Sequence, residues 1–349
     1  MNKFFDKLFN WERWSFDAIY APVSFVWLYY AIKARAFWFF TPVNPSLNFA
    51  GFEGTSKAEM YKQMPSWCLP ATLFIDNTTH FDKVKERIAS AGLNFPIVAK
   101  PDTGMGGVLF RVLKSESSLQ EYHEAIGENY IIQTFVQLPA EFSVFHIRYP
   151  GETKGTVTGL VAKNFLQVKG DGKKTLSELV SVHPVAKFKI EDLKRKHAEK
   201  WNNVPAANED YILSYAGNHR VGARFINMHD KIDQQLCDVF DKISNEVGQF
   251  YFGRYDLKCT SLEDLKNGKN IQVLEFNGAG AVAIHIFDCN MSYWRALKEI
   301  VKHWDHLYRI GKINNKRGIR YWTLREGFAF LKNCKKNYKR LNALDASLP

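Results

Sequence analysis

Two stretches of the chain hold residues whose types and spacing suit phosphate and metal chemistry. The first is P-I-V-A-K-P-D-T-G-M-G-G-V at 96–108, where an apolar run ends at Lys100, a proline follows, and a loop carrying Gly104, Gly106 and Gly107 leads into further apolar sequence. Glycines let backbone N–H groups approach and wrap phosphate oxygens, and a lysine at the end of a strand supplies a point charge. No G-K-[ST] closes the loop, so it is not a Walker A motif, and it lacks the strand-to-helix placement of a dinucleotide fingerprint. A glycine-rich β-hairpin with a purely structural role would read the same way.

The second stretch is G-R-Y-D-L-K at 253–258 followed by V-L-E-F-N-G-A-G at 273–280. Alternate residues of a strand share a face, so Arg254 and Asp256 project together, as do Glu275 and Asn277. Two adjacent strands would present Asp256, Glu275 and Asn277 as a cluster of oxygen donors with a guanidinium beside it. Hard donors of this kind suit magnesium, which usually keeps waters and substrate phosphates as its other ligands. An arginine–carboxylate pair knitting two strands would use the same residues, but it gives no reason for E-F-N to run straight into G-A-G.

The elements that must position these residues alternate between strand and helix patterns, which predicts a mixed α+β architecture. Strands are expected at 95–100, 107–113, 130–135, 141–149, 155–164, 252–259 and 271–276, and helices at 56–63, 81–91, 117–126, 232–247 and 291–308. Ser117 and Thr175 stand before helix-like stretches, and T-L-S-E at 175–178 has capping-box spacing. The polar stretch 261–270, with Gly268, reads as an extended hairpin connection between two strands.

Taken in order, a lysine-plus-glycine hairpin, an acidic residue after a strand, R-x-D and then E-x-N resemble the ATP-grasp superfamily. The closer likenesses are to D-alanine–D-alanine ligase and, through V-K-G-D-G-K-K-T-L-S-E-L-V at 168–180, to cyanophycin synthetase and the glutathione-forming ligases. The resemblance covers roughly 56–293. It implies an ATP-grasp fold, two α/β subdomains sandwiching ATP at about 56–140 and 141–305, flanked by an aromatic-rich helical segment at 1–55 and a basic helical tail at 306–349. It implies ATP and Mg2+, with Mn2+ as an alternative, and a ligase that joins a small-molecule carboxylate to an amine or thiol through an acyl phosphate.

Residue by residue, the resemblance makes Lys57, which stands 13 residues before Pro70, and Lys100 the phosphate-contacting lysines. Gly104, Gly106 and Gly107 form the phosphate loop. In the hinge I-I-Q-T-F-V-Q-L-P-A-E-F-S-V, Gln133, Phe135 and Val136 surround adenine and Glu141 takes the ribose hydroxyls. Asp256, Glu275 and Asn277 become the metal ligands, and Arg254, with Lys100, the catalytic cation beside the reacting phosphoryl group. The chain departs from the family pattern in having Gln133 where many relatives have Glu, in a longer hairpin between the metal strands, and in having only a short segment before Lys57 in place of an N-terminal α/β domain.

Other residues have two readings each. Arg148 and Lys163 lie on strands and could reach phosphates; His219, Arg220 and Arg224 could bind a substrate carboxylate or be surface cations. His285 reads as a packed strand-end histidine. The loop around Asp171 could close over the site or be a plain D-G turn. A kinase or a non-catalytic ATP-binding scaffold would share the same nucleotide residues, and no Ser-His-Asp or Cys-His constellation points to covalent catalysis.

Composition bounds these readings. With 349 residues, 46% hydrophobic and 24% charged, the chain is an ordinary folded protein. Its five cysteines are scattered without a C-x-x-C pair, which fits a reducing, cytoplasmic setting. The net charge is +11, and the segment from Met291 to Pro349 has 14 Lys or Arg against 4 Asp or Glu, a balance of +10. The excess is thus local, which argues against nucleic acid as a partner. The aromatic stretch 16–40 is not a secretory signal, since Asp6 and Glu12 precede it and no cleavage site follows. Its longest uncharged run, 18–32, has 15 residues including Pro22, and a spanning helix needs about 20. It is expected either to pack on the body or to lie at an anionic membrane surface, with the basic C-terminus as the second contact.

Overall fold

A computed structural model describes residues 11–104, 106–214, 222–287 and 291–347, except the side chain of Arg13. Asp6, His219, Arg220 and Cys289 lie outside this set. Among the described residues the helices longer than one turn are α1 (Ser24–Ala34), α2 (Lys57–Gln63), α3 (Phe81–Ser90), α4 (Glu116–Ile126), α5 (Leu176–Val182), α6 (Ile190–Lys196), α7 (Gln234–Val247), α8 (Tyr293–Lys316) and α9 (Leu324–Ser347). The strands are β1 (Thr72–Ile75), β2 (Ile97–Pro101), β3 (Arg111–Leu113), β4 (Tyr130–Thr134), β5 (Ala140–Arg148), β6 (Gly155–Asn164), β7 (Leu166–Lys169), β8 (Asp210–Ser214), β9 (Arg224–Asn227), β10 (Phe252–Cys259) and β11 (Gln272–Asn277). The architecture is mixed helix and sheet, as the alternation predicts.

The chain divides into two units, 1–161 with 227–349, and 162–226. The first unit contains a four-stranded antiparallel sheet ordered β1–β4–β2–β3 and the strands β11–β10–β5–β6 of a second sheet. The four-stranded sheet buries Ile97, Ala99, Tyr130 and Ile132 against Val84 and Ile88 of α3 and Leu119 and Tyr122 of α4. These helix positions recur at four- and three-residue spacing, which puts each pair on one face.

The unit 162–226 has its own small core, in which Leu166 and Val168 of β7 pack with Leu176, Leu179 and Val180 of α5 and Trp201. Its helix α5 starts at the predicted capping box: Thr175 accepts from Glu178 N, and the Glu178 carboxylate accepts from Thr175 N at 2.8 Å. Asp171 Oδ1 accepts from Lys173 N and Lys174 N, and Gly172 has φ +69°, so the loop is an Asx-type turn.

Several boundaries move for identifiable reasons. The strand expected at 107–113 begins only at Arg111, because Gly106, Gly107 and Leu109 take left-handed φ of +68°, +79° and +55°. Helix α4 starts at Glu116, one residue before Ser117, and its cap is Ser115, whose hydroxyl accepts from Ser118 N. The connection at 261–270 contains a one-turn helix, Leu262–Lys266, capped by Ser261, before Gly268 and Asn270 turn the chain back. The expected helix at 291–308 continues to Lys316.

The N-terminal segment packs on the body. Phe39, Phe40 and Phe49 are fully buried with Phe145 and Ile147 of β5, Phe252 of β10 and Leu307 and Ile310 of α8. At the centre of this junction lies Asn44, also fully buried. Its Nδ2 donates to Phe252 O (2.9 Å) and Ala50 O (3.1 Å), while its Oδ1 accepts from Tyr251 N (2.9 Å) and Phe252 N (3.1 Å). One side chain therefore completes the hydrogen bonding of backbone from two distant stretches. Each buried backbone group left unpaired costs about 1–3 kcal/mol. Asn44→Ala should thus destabilise the protein by about 3 kcal/mol or more, seen as a lower urea midpoint with an unchanged slope, whereas Asn48→Ala at an exposed position should shift the midpoint little.

Candidate functional site

Strand pairing assembles the acidic cluster. In the β10–β11 register Asp256 lies opposite Glu275 and Arg254 opposite Asn277, so all four side chains occupy one face. The Arg254 guanidinium grips Asp256 through Nε at 3.2 Å and Nη2 at 3.0 Å, and its Nη1 donates to Val282 O at 2.9 Å. Asp256 also accepts from Ser143 Oγ of β5 and from Asn277 Nδ2 at 2.9 Å. The buried carboxylate is therefore fully engaged, which is what its desolvation requires.

Glu275 differs. It is half-buried, and among the described residues its carboxylate has no hydrogen-bond or ion-pair partner. It raises the pKa of both Lys57 and Lys100 by its negative charge. Among the described residues no three His, Cys, Asp or Glu side chains converge as a complete metal site. Two carboxylates and an amide do converge, and this oxygen set fits magnesium, which draws its remaining ligands from water and phosphate. Asp256, Glu275 and Asn277 would hold it.

The two lysines reach the site from separate elements. Lys57 is the first residue of α2, whose cap Ser56 donates to Asp102 Oδ1 at 3.0 Å while Asp102 Oδ1 accepts Ala58 N at 2.7 Å. This ties α2 to the start of the glycine loop. Lys57 Nζ donates to Gly104 O at 3.2 Å and Asp102 O at 3.4 Å. Burial holds its pKa below the usual lysine value; Glu275 opposes the shift and the neighbouring Lys100 adds to it. Lys100 Nζ donates to Leu274 O at 3.1 Å and reaches Tyr61 Oη at 3.4 Å, and burial lowers its pKa to about 8 against the pull of Glu275.

The glycine loop is anchored at one end and open at the other. A Cβ at Gly106 or Gly107 would meet nothing within 4 Å, whereas Gly104 lies against Leu341 of α9. Asn337 of α9 donates to Thr103 Oγ1 at 3.0 Å, and Asp345 accepts from Leu109 N at 3.1 Å and pairs with Arg111 at 2.8 Å. The basic C-terminal helix is thus packed along the loop.

The expected hinge lies between β4 and β5. Gln133 is buried and donates to Thr72 Oγ1 at 2.8 Å; Phe135 and Val136 are half-buried in the irregular stretch that follows. Glu141 is buried on β5 directly opposite Lys258, whose pKa burial lowers against the pull of Glu141. Lys163 is buried on β6 within the unit 162–226, and Arg224 is exposed there on β9.

Two other residues have structural employment. Arg148 caps the end of α7, donating to Ser244 Oγ, Ser244 O and Gly248 O, each at 2.9 Å, where a cation also suits the helix dipole. Its donors are committed, so it is not placed for phosphate. His285 is buried beside His303, and burial drops its pKa to about 3, in keeping with a packed histidine. Sequence reasoning missed Tyr61, Ser143 and the α9 contacts. Tyr61 stands four residues after Lys57, so helical spacing alone could have found it; Ser143 and α9 meet the site only through long-range packing.

No family model matches the sequence, and no curated protein matches it. Among solved structures the chain is similar to a bifunctional glutathione synthetase from Pasteurella multocida, at 18% identity and TM-score 0.38 over 73% of this chain and 38% of that one. It is also similar to D-alanine–D-alanine ligase from Bacillus anthracis, at 11% and 0.42 over 78% and 72%, and to VanG D-Ala:D-Ser ligase from Enterococcus faecalis, at 13% and 0.43 over 75% and 62%.

The electrostatics of the lysine pair can be tested without any ligand. Competitive amine labelling across pH should give Lys100 an apparent pKa of about 8, well below exposed lysines, and Glu275→Gln should lower it further by removing the opposing negative charge. An ordinary lysine value in both proteins would contradict this account.

Proposed function

We propose that the chain is a magnesium-dependent ATP-grasp ligase that activates a small-molecule carboxylate and joins it to an amine. One observation carries the reading: two desolvated lysines from different elements, Lys57 and Lys100, both feel the charge of Glu275, on the strand that also holds Asn277, and Lys100 stands close enough to disfavour the charge of Lys57. Like charges are buried together at a cost, and a bound polyanion such as a triphosphate would remove that cost. The ordered motifs from Lys57 to Asn277, read beside this convergence, support ATP as the polyanion.

In this reading Lys57 and Lys100 hold the phosphates, with the open backbone at Gly106 and Gly107 free to donate N–H groups. Gln133, Phe135 and Val136 are assigned to the adenine, and Glu141 to the ribose. Magnesium, held by Asp256, Glu275 and Asn277, supplies neutralising charge when bound. Arg254 stabilises the charge that develops as a carboxylate oxygen bonds to the γ-phosphorus and the bond to ADP breaks. The amine then adds to the acyl carbon, inorganic phosphate leaves, and the amine proton passes to solvent. No side-chain nucleophile is required.

The test is an ADP-release screen of carboxylates paired with amines. A ligase releases ADP and inorganic phosphate only when both are present; phosphate retained on a single acceptor would establish a kinase instead. Lys100→Met and Glu275→Gln should each lower the turnover number about 10²–10³-fold, the scale of losing one preorganised charge-stabilising group. Magnesium-dependent turnover that persists at full rate in Asp256→Ala/Glu275→Ala would refute the metal assignment.

A further inference from the structure

Helix α1 is apolar on both of its faces. Its inner face packs Tyr30 and Ala31 into the core with Trp27 and Val26 beside them. Its outer face exposes Phe25 (68%), Leu28 (53%), Tyr29 (54%) and Ile32 (68%). Positions 25, 28, 29 and 32 follow the i, i+3, i+4, i+7 pattern, so these side chains form one stripe along the helix. Scattered surface hydrophobics need no explanation, but an aligned set of four large ones does.

The stripe ends at exposed Lys33 and Arg35. Immediately after it Phe37, itself 41% exposed, meets Phe328 of α9 with ring centroids 6.1 Å apart. Leu324 and Phe328 are exposed on the first turns of α9, and the same side of that helix continues as Lys332, Lys335, Lys336 and Lys339, all exposed. Their inner counterparts, Leu341 and Asn337, are the residues that hold the glycine loop, so the lysine row points away from the body. From 324 to 340 the only acidic residue is Glu326, and it is occupied by Arg320 and by the Thr323 amide.

We infer that this surface docks on an anionic lipid bilayer, with the α1 stripe, Phe37 and Phe328 entering the headgroup boundary and the α9 lysines facing acidic headgroups. Charge complementarity favours a bilayer over self-packing of this face: from 324 to 340 the one acidic residue, Glu326, is already paired, so a second copy of α9 would set lysine against lysine, whereas an anionic leaflet supplies counter-charge everywhere. Long lysine side chains beside buried apolar surface also suit an interface, where the stem lies in the apolar layer and the amine reaches water. Among the described residues no helix is long and apolar enough to cross a membrane, so the contact is peripheral. This inference stands independently of the ligase reading.

Flotation of the full chain tests it, using vesicles of phosphatidylcholine alone and vesicles enriched in phosphatidylserine, at low and high salt. Binding should require phosphatidylserine and weaken with salt. Lys332→Glu/Lys336→Glu should reduce the partition about 10-fold or more. Phe25→Ser/Ile32→Ser should reduce it similarly while leaving the circular dichroism spectrum and urea midpoint unchanged, since both side chains are exposed. Absence of flotation under every condition, or undiminished binding by both variants, would overturn the inference. So would a concentration-dependent dimer in sedimentation that the Phe25/Ile32 variant abolishes, because the stripe would then be a self-interface.

Discussion

The constraint on which the site depends is the removal of charge from water. Lys57 and Lys100 are both desolvated, Lys100 disfavours the charge of Lys57, and Glu275 exerts the largest attraction on both. Such a pair is tolerable only if its ammonium groups find acceptors, and the surrounding elements supply them from backbone: Asp102 and Gly104 carbonyls for Lys57, the Leu274 carbonyl for Lys100. Those carbonyls belong to the start of the glycine loop and to β11. The lysines can therefore be held only if α2, the loop and β11 are fixed against one another. The Ser56–Asp102 contact, the α9 bonds to Thr103 and Leu109, and the Tyr61 hydroxyl on Leu274 O do that fixing.

The acidic side of the site solves the same problem differently. Asp256 is buried deeper than Glu275, and it is satisfied within the protein by Arg254, Ser143 and Asn277. Leaving such a carboxylate unpaired would cost several kcal/mol. Among the described residues Glu275 has electrostatic attraction to the lysines and no direct partner, so the uncommitted valence of the cluster lies on this carboxylate. An incoming cation would find one carboxylate open to it and one already oriented.

Most of this face was legible in the sequence because it depends on local periodicity. A period of two put Arg254 with Asp256 and Glu275 with Asn277, and the observed register, 254 opposite 277 and 256 opposite 275, brings both pairs together. Strands β6 and β10 and the cap at Thr175 likewise follow from residue type over a few positions. What was not legible depends on chain segments far apart. Nothing near residue 100 announces that α9 will lie along the glycine loop, and nothing near 141 announces that Glu141 will face Lys258. The strand expected at 107 failed for a local reason of a different kind: apolar residues favour a strand, but Gly106, Gly107 and Leu109 take left-handed backbone, and three such residues cannot pair in a ladder.

The N-terminal segment shows why its sequence looked anomalous. Phe49, Ala50 and Gly51 take φ of +50°, +55° and +71° in succession, and the two residues with a Cβ incur about 1–2 kcal/mol each for that conformation. The distortion lets the backbone of Ala50 accept Ala279 N at 2.9 Å. It also brings this backbone so close that a Cβ on Gly278 would lie 2.5 Å from Ala50 O. The glycines after Asn277 are therefore required by the approach of the N-terminal segment, in addition to any role beside a ligand. Full burial of Phe39, Phe40 and Phe49 at roughly 1.5–3 kcal/mol each is enough to offset the strain. Strain of this kind persists where surrounding packing over-determines it, and here it fixes the end of the strand that carries Glu275 and Asn277. The aromatic residues that first suggested a membrane segment thus divide by face: those turned inward hold the acidic strand in place, and those of α1 turned outward remain for a surface.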